Sequence, residues 1–178
     1  MIAIRIATTG LEDTDEIIGI SIFDDKEGSI FTALIKPSHN SYWETSEMNG
    51  IHPEDFANLT TYTWTEFLPI IQDKVNASDG VIVFNAPFMM KFMPGLSVSR
   101  YVDLMPIYSR INGEVLEADY KVEPLLKSLT HCSHRFGVDL RRRNIYNIKD
   151  GAAVLMECYR GMNRFYPGLI RQYTYKAA

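Results

Sequence analysis

The stretch MIAIRIATTGLEDTDEIIGISIFDD, residues 1–25, decides the fold. It opens with Ile2–Ala7, which predicts a β-strand because five of its six residues are apolar and a turn signal, Thr8-Thr9-Gly10, follows directly. An acidic loop then leads into a second predicted strand, Glu16–Phe23, and Ser29–Lys36 predicts a third. Because short polar connections join the three strands, we expect an antiparallel meander.

The rest of the chain alternates predicted helices and strands. Helices are expected over Trp43–Asn49, Pro53–Asn58, Thr65–Val75, from Ala86 onward, from Leu104 to about Ile111, over Val122–Phe136 and over Asp150–Met162, and strands over Gly80–Phe84 and Tyr101–Leu104. This order predicts an α/β domain with a mixed central sheet flanked by helices. We expect the domain to occupy residues 1–163, followed by an aromatic and basic tail, residues 164–178, without clear secondary structure.

The composition is that of one globular domain. The chain has 178 residues, of which 46% are hydrophobic, and this suits a packed core rather than a disordered chain. No segment has the apolar length of a membrane-spanning helix, and the N-terminus lacks a signal-peptide pattern. Two cysteines, Cys132 and Cys158, make no disulfide framework, so we expect a reducing, cytoplasmic location.

The net charge of −4 is unevenly distributed. Residues 1–60 carry a balance of −8, residues 61–109 of −1 and residues 110–178 of +5. The basic C-terminal third could face phosphates, whereas the acidic N-terminal third would repel them at low salt. This distribution argues against a nonspecific nucleic-acid binder, and it also fits solvated faces of mixed sign.

Five motifs follow one another in the order and at the spacing of a known family. A Thr-Thr-Gly-Leu turn ends the segment Arg5–Leu11, and a Gly-Ile-x-x-Glu-Asp turn occupies Gly50–Asp55. An Asn-Ala-x-Phe sequence lies within Phe84–Met89, an Asp-Leu strand end within Val102–Leu104, and a helix start within Tyr146–Ala152. In these motifs the chain resembles the DnaQ-like 3′–5′ exonucleases of the DEDD class, which have a ribonuclease H-like fold.

The metal-binding positions of that family are changed in this chain. Members hold two divalent metals between four carboxylates, with a His or Tyr as general base, and such a site stabilises both the attacking and the leaving oxygen of a phosphoryl transfer. The resemblance places the four carboxylates at Arg5, Ala7, Met89 and Gly151, and the base at Tyr146. None of the four is acidic, so we predict no catalytic residue and no metal site.

Displaced ligands are the alternative. Asp150 adjoins Gly151 and Asp103 lies in the fourth motif, but residues 1–11 and 84–99 contain no Asp or Glu. One step along a helix turns a side chain by about 100°, away from the expected site. Tyr146 stands four residues before Asp150, as the base does in Tyr-type branches of the family, yet it has no metal-bound water to activate. Mg²⁺ or Mn²⁺ would be needed only if this alternative holds.

Several residues remain candidates for binding. Arg5 lies on the same strand face as Ala7, and in the family this face points into the cleft. We therefore expect Arg5 to contact a phosphate or a carboxylate. The alternative is an ion pair with Asp103 or Asp150. The full candidate set for a nucleic acid is Arg5, Thr8, Thr9, Gly10, Leu11, Asn85, Phe88, Arg141, Arg142 and Arg143. For the turn residues the alternative is turn geometry and packing, and for the three consecutive arginines it is a solvated turn.

We therefore predict a catalytically inactive exonuclease-like protein with no cofactor and a binding or regulatory role. The expected ligand is a protein partner, with nucleic acid second, and no membrane is involved. Two other functions remain open: an active metal-dependent 3′–5′ exonuclease with relocated ligands, and a protein that binds single-stranded nucleic-acid ends.

Overall fold

A computed structural model describes residues 1–38, 43–57, 59–118 and 121–176. The strands are β1 (Ile2–Thr8), β2 (Ile17–Asp24), β3 (Gly28–Leu34), β4 (Val81–Val83), β5 (Arg100–Asp103), β6 (Val115–Ala118), β7 (Lys121–Pro124) and β8 (Thr174–Lys176). The helices are α1 (Ser46–Asn49), a 3₁₀ turn (Pro53–Phe56), α2 (Trp64–Asn76), α3 (Ala86–Lys91), α4 (Leu104–Asn112), α5 (Leu129–Arg135), α6 (Ile148–Phe165) and α7 (Pro167–Gln172). No helix in the described part of the chain is long and apolar enough to cross a membrane.

The central sheet is mixed, as predicted. Its six strands lie in the order β3-β2-β1-β4-β5-β8. The first three form the expected antiparallel meander, β4 and β5 add parallel to β1, and β8 closes the far edge antiparallel to β5. A second sheet contains only β6 and β7. The α/β fold with a three-stranded antiparallel start is therefore confirmed.

Strand β1 separates two hydrophobic cores. Ile2, Ile4 and Ile6 lie on one face and pack with residues of α2 and α3. The opposite face carries Ala3 and Ala7, beneath α6, whose contacts are mainly with β1 and β2. These small side chains let the helix lie close to the sheet, and the two-residue period of the strand places Arg5 between them on that same face.

The predicted helix Val122–Phe136 is wrong in its first half. Residues Lys121–Pro124 form a strand, and the helix begins only at Leu129. Proline disfavours helical geometry in the residue before it, and Pro124 interrupts the apparent period. The Ser128 hydroxyl accepts a hydrogen bond from the backbone N–H of His131 and so caps the true helix start.

The C-terminal segment also differs from its prediction. It forms helix α7 and strand β8, where the sequence indicated no clear structure. Tyr175 stacks on Tyr101 of the neighbouring strand, with ring centroids 4.9 Å apart. A six-residue helix and a three-residue strand are too short to show a period, which explains the difference.

The two short helices predicted around Gly50 are shorter still. The first begins at Ser46 rather than Trp43, and the second is the 3₁₀ turn Pro53–Phe56. Asn58, the predicted end of the second, lies outside the described residues.

Asp103 joins three elements at the C-terminal end of the sheet. It is 5% exposed, and its carboxylate accepts hydrogen bonds from the backbone N–H groups of Asn85 (2.9 Å), Ala86 (2.7 Å) and Met105 (3.1 Å). It thereby holds the start of α3 and the start of α4 to the end of β5. Three backbone N–H donors at this end of the sheet therefore depend on the Asp103 side chain as their acceptor.

We expect Asp103→Ala to lower the free energy of unfolding by about 3 kcal/mol. The substitution leaves the backbone N–H groups of Asn85, Ala86 and Met105, which are wholly or partly buried, without a hydrogen-bond acceptor. Urea denaturation followed by circular dichroism measures the change. The matched control is Asp139→Ala at an exposed carboxylate, with an expected change within about 0.5 kcal/mol. Equal stability of the two variants would show that Asp103 does not hold these elements together.

Candidate functional site

A cleft of about 400 Å³ opens beside the end of β1. Five residues singled out from the sequence line it together: Arg5, Leu11, Asn85, Phe88 and Tyr146. They come from β1, the loop after it, the start of α3 and the turn before α6. The fold therefore brings parts of the first, third and fifth motifs to one place.

Arg5 lies directly beneath the first turns of α6. It pairs with Ser21 across β1 and β2, and its side chain lies against Gly151. A Cβ atom built on Gly151 would lie 3.2 Å from Nε of Arg5 and 2.8 Å from the carbonyl oxygen of Ile145. Gly151 thus provides the space through which the arginine reaches the cleft.

Arg5 has no acidic partner among the described residues. Its Nε is fully buried and makes no hydrogen bond, and no ion pair joins its guanidinium to a carboxylate. Burial lowers the pKa of the Arg5 guanidinium below its usual value, because desolvation disfavours the charged form. Arginine nonetheless stays protonated in proteins, so the cleft contains an uncompensated cation.

The ion pair considered for Arg5 is not formed, because both carboxylates are used elsewhere. Asp103 accepts the three backbone hydrogen bonds described above. Asp150 accepts one from the backbone N–H of Asn144, at 2.9 Å, and so belongs to the turn before α6. Neither residue lines the cleft.

Two other positions at which the motif resemblance implies carboxylates are apolar and packed. Ala7 lies in a small cluster with Trp43, Ile51 and Ile148, and Met89 is 1% exposed in the core beneath α3. Within the described residues, no group of three or more His, Cys, Asp or Glu side chains is placed to hold a metal ion. The residues present do not fit a two-metal centre.

The Thr-Thr-Gly turn forms a closed network of its own. Thr8 donates from Oγ1 to the carbonyl oxygen of Gly10 (2.6 Å), and Thr9 donates to a carboxylate oxygen of Asp15 (2.8 Å). The Thr9 hydroxyl also accepts from the backbone N–H of Glu16, at 3.0 Å. A Cβ atom on Gly10 would overlap the Asp15 carboxylate. These hydroxyls bond within the loop, and of residues 8–11 only Leu11 lines the cleft.

Asn85 has an unusual backbone that orients its side chain. Its φ of 71° makes it the one non-glycine residue with a positive φ among those described, a conformation that Asn tolerates. The side-chain oxygen caps α3 by accepting from the N–H of Phe88, and the backbone N–H of Asn85 donates to Asp103. The amide Nδ2 is therefore the end of the side chain left for a ligand.

The arginine run lies apart from the cleft. Arg141 pairs with Asp139 at 2.8 Å on the exposed surface, and Arg143 pairs with Glu157. Arg142 is exposed, and none of the three lines the cleft. Tyr146, by contrast, lies at the mouth of the cleft and is 51% exposed.

Sequence reasoning missed part of the lining. Met48, Met105, Ser128, Thr130 and Ile145 also contribute to the cleft. Ser128 was hidden inside the predicted helix Val122–Phe136, although a serine three residues before His131 is a capping signal. Met48, Met105 and Ile145 are apolar residues that nothing in the sequence separates from core positions, and Thr130 lay within the same predicted helix as Ser128.

Comparison with known proteins identifies the fold. No protein-family model matches the sequence, and no curated protein matches it significantly. Solved structures do match. Exonuclease X, solved in complex with 5′ overhanging duplex DNA, has a TM-score of 0.64 and 16% identity, with 92% of each chain covered. The RNase domain of the yeast Pop2 protein has a TM-score of 0.66 and 14% identity, over 92% of this chain and 76% of that one.

A third match is part of a larger module. The Saccharomyces cerevisiae Pan2 pseudoubiquitin hydrolase–RNA exonuclease module, solved with A7 RNA, has a TM-score of 0.64 and 14% identity. The match covers 97% of this chain and 30% of the Pan2 chain. At these identities the likeness establishes the fold. The chain has the ribonuclease H-like fold of the DnaQ-like exonucleases, which confirms the resemblance drawn from its motifs.

Gly151→Ala should destabilise the protein by about 1–3 kcal/mol, because the added methyl group meets the Ile145 carbonyl and crowds Arg5. Thermal and urea unfolding measure the change. The matched control is Gly168→Ala in α7, where a Cβ atom meets nothing within 4 Å. There we expect unchanged or slightly raised stability, by up to about 1 kcal/mol, from the better helix propensity of alanine. Equal effects at both glycines would contradict the close approach at Arg5.

Arg5→Met should raise the free energy of unfolding by about 1–2 kcal/mol, because it removes a desolvated charge that has no partner. A base whose folded-state pKa is lowered destabilises the fold while it is protonated, so the gain should persist throughout the neutral pH range. Urea denaturation of both proteins at neutral pH tests this. A loss of stability would show that Arg5 makes favourable interactions within the protein.

Proposed function

We propose that this chain is a catalytically inactive exonuclease-like protein that acts by binding a partner in the Arg5 cleft. The observation that carries this proposal is the unpaired Arg5 cation, positioned where the family resemblance implies a metal-binding carboxylate. Fold and chemistry are separable, so an exonuclease fold does not by itself imply nuclease activity.

Two-metal catalysis needs anionic ligands around both ions. Such a site uses carboxylate oxygens to neutralise the metals and position them against the phosphate. Arg5 instead brings a positive charge that would repel a divalent cation, while Ala7 and Met89 offer no oxygen ligand. We infer that the cleft selects anions where the family's active members select metals.

Relocated ligands receive little support from the geometry. Asp103 would have to release three backbone donors to bind a metal, and Asp150 would have to release the turn at Asn144. Tyr146 lies at the cleft mouth, but it has no carboxylates beside it in the cleft lining to hold the water on which a general base acts.

A protein is the partner that the surface favours. Leu11 and Met48 are each 58% exposed at the cleft, and Tyr146 adds an aromatic ring beside them. Exposed apolar and aromatic groups around a concave site are typical of protein-binding surfaces. Nucleic acid is the second candidate, since Phe88 and Tyr146 could stack on bases. Exonuclease X and Pan2 were solved with DNA and RNA, respectively.

The absence of catalysis is tested by metal binding and by nuclease assay. We expect calorimetric titration with Mn²⁺ to show no saturable binding at millimolar concentration, because the cleft has a cation and no carboxylates. We also expect no metal-dependent release of nucleotides from the 3′ end of labelled single-stranded DNA or RNA, with an active metal-dependent exonuclease assayed in parallel. Saturable Mn²⁺ binding together with nucleotide release that Asp103→Asn or Asp150→Asn abolishes would establish the relocated-ligand alternative.

A further inference from the structure

We infer that the Arg5 cleft recognises the C-terminal carboxylate of a partner protein whose last residue is apolar. This inference rests on the proposed binding function and specifies its ligand. It is drawn from the charge at the cleft floor, the donors beside that charge and the chemistry of the cleft walls.

The cleft offers an anion a partly buried arginine, Arg5, that has no partner among the described residues. Its guanidinium presents five N–H donors in a planar fork that matches the two oxygens of a carboxylate. Of the Arg5 nitrogens, only Nε is both fully buried and unbonded, and the arginine lines the cleft. A carboxylate bound there would neutralise a charge that the folded protein leaves unpaired, and such charge-assisted bonds strengthen away from water.

Asn85 supplies a second donor to the same cleft. Its side-chain oxygen already caps α3, so its amide N–H groups are available to the cleft that it lines. The positive φ of Asn85 is held by the bonds from its backbone N–H to Asp103 and from Phe88 to its side chain. The fold therefore places an amide donor in the cleft that Arg5 also lines, an arrangement suited to a ligand with two acceptor oxygens.

The walls of the cleft suit an apolar side chain. Leu11, Met48, Phe88, Met105 and Tyr146 line the same cleft as Arg5 and Asn85. Burying an aliphatic or aromatic side chain against such a surface is worth about 1.5–3 kcal/mol. A ligand that combines one carboxylate with an adjacent apolar group would use both parts of the cleft. The last residue of a protein chain has that composition.

A nucleic-acid strand fits these features less well. A strand carries a phosphate at every nucleotide and is usually held by several cations along a groove. The cleft lining contains a single cation, Arg5, and two arginines of the run at 141–143 are already paired. Residues 1–60, which supply β1 and the loop at the cleft mouth, carry a balance of −8.

The inference is tested with short peptides as probes. N-acetylated tripeptides ending in Leu, Met or Phe are prepared as free acids and as C-terminal amides, and their binding to the full chain is followed by NMR chemical shifts. We expect saturable binding of at least one free acid, with shifts at Arg5, Asn85 and Tyr146. The matching amide should bind roughly tenfold more weakly or worse, because it lacks the charge that Arg5 recognises.

Two variants connect the binding to the cleft. Arg5→Met should abolish the preference for the free acid, and Asn85→Asp should do the same because a carboxylate there repels the ligand and competes for Arg5. Aspartate also tolerates the positive φ of this position. The matched control is Arg171→Met, which removes an exposed arginine from α7, outside the cleft, and should leave peptide binding unchanged.

Equal affinity for the free acid and the amide, or no saturable binding of any free acid, would overturn the inference. It would also be overturned if an oligothymidylate displaced the bound peptide and if Arg5→Met abolished oligothymidylate binding. The last would assign the cleft to nucleic acid. Failure of the peptides together with absent Mn²⁺ binding would remove only this ligand and leave the inactive-protein proposal in place. Mn²⁺ binding together with nuclease activity would instead overturn the proposal that the protein is catalytically inactive.

Discussion

The close approach of α6 to β1, at Gly151 and Arg5, is the constraint on which the rest of the site depends. The long Arg5 side chain extends from a central strand and passes beneath helix α6. Gly151 leaves space for it because it has no side chain, and the nearby Ile145 carbonyl leaves no room for a larger residue at position 151. Ala7 and Gly19 are paired across β1 and β2, and their small size lets the same helix pack close to the sheet.

Arg5 and Gly151 form a coupled pair. In the resemblance drawn from the motifs, both positions correspond to metal-binding carboxylates. An acidic side chain at position 151 would crowd Arg5, and a metal ion beside Arg5 would place like charges together. A single acidic substitution at either position would therefore not create a metal site. Met89 supports this conclusion, because its side chain is packed in the hydrophobic core on the other face of the sheet and not in the cleft.

Sequence alone predicted the mixed sheet and placed Arg5 on the same strand face as Ala7, but it did not predict that Arg5 would lack an acidic partner among the described residues. The motifs placed Arg5, Asn85, Phe88 and Tyr146 in one region because their spacing reflects the fold. Whether the arginine would find an acidic partner depended on Asp103, and its three hydrogen bonds to backbone donors are invisible to pattern analysis. Thr8 and Thr9 show the same limit, since their hydroxyls proved to be bonded within their own loop.

An unpaired and partly buried cation opposes folding, and this gives Arg5 its significance. Burial of a charge without a partner costs free energy, whereas a methionine or leucine at the same position would pack without that penalty. Natural proteins tolerate such costs mainly where function uses the strained group. A chain that kept the exonuclease fold only as an inert scaffold would gain stability by losing the arginine. Its presence in a cleft lined mainly by apolar side chains therefore supports the proposal that the cleft binds an anion.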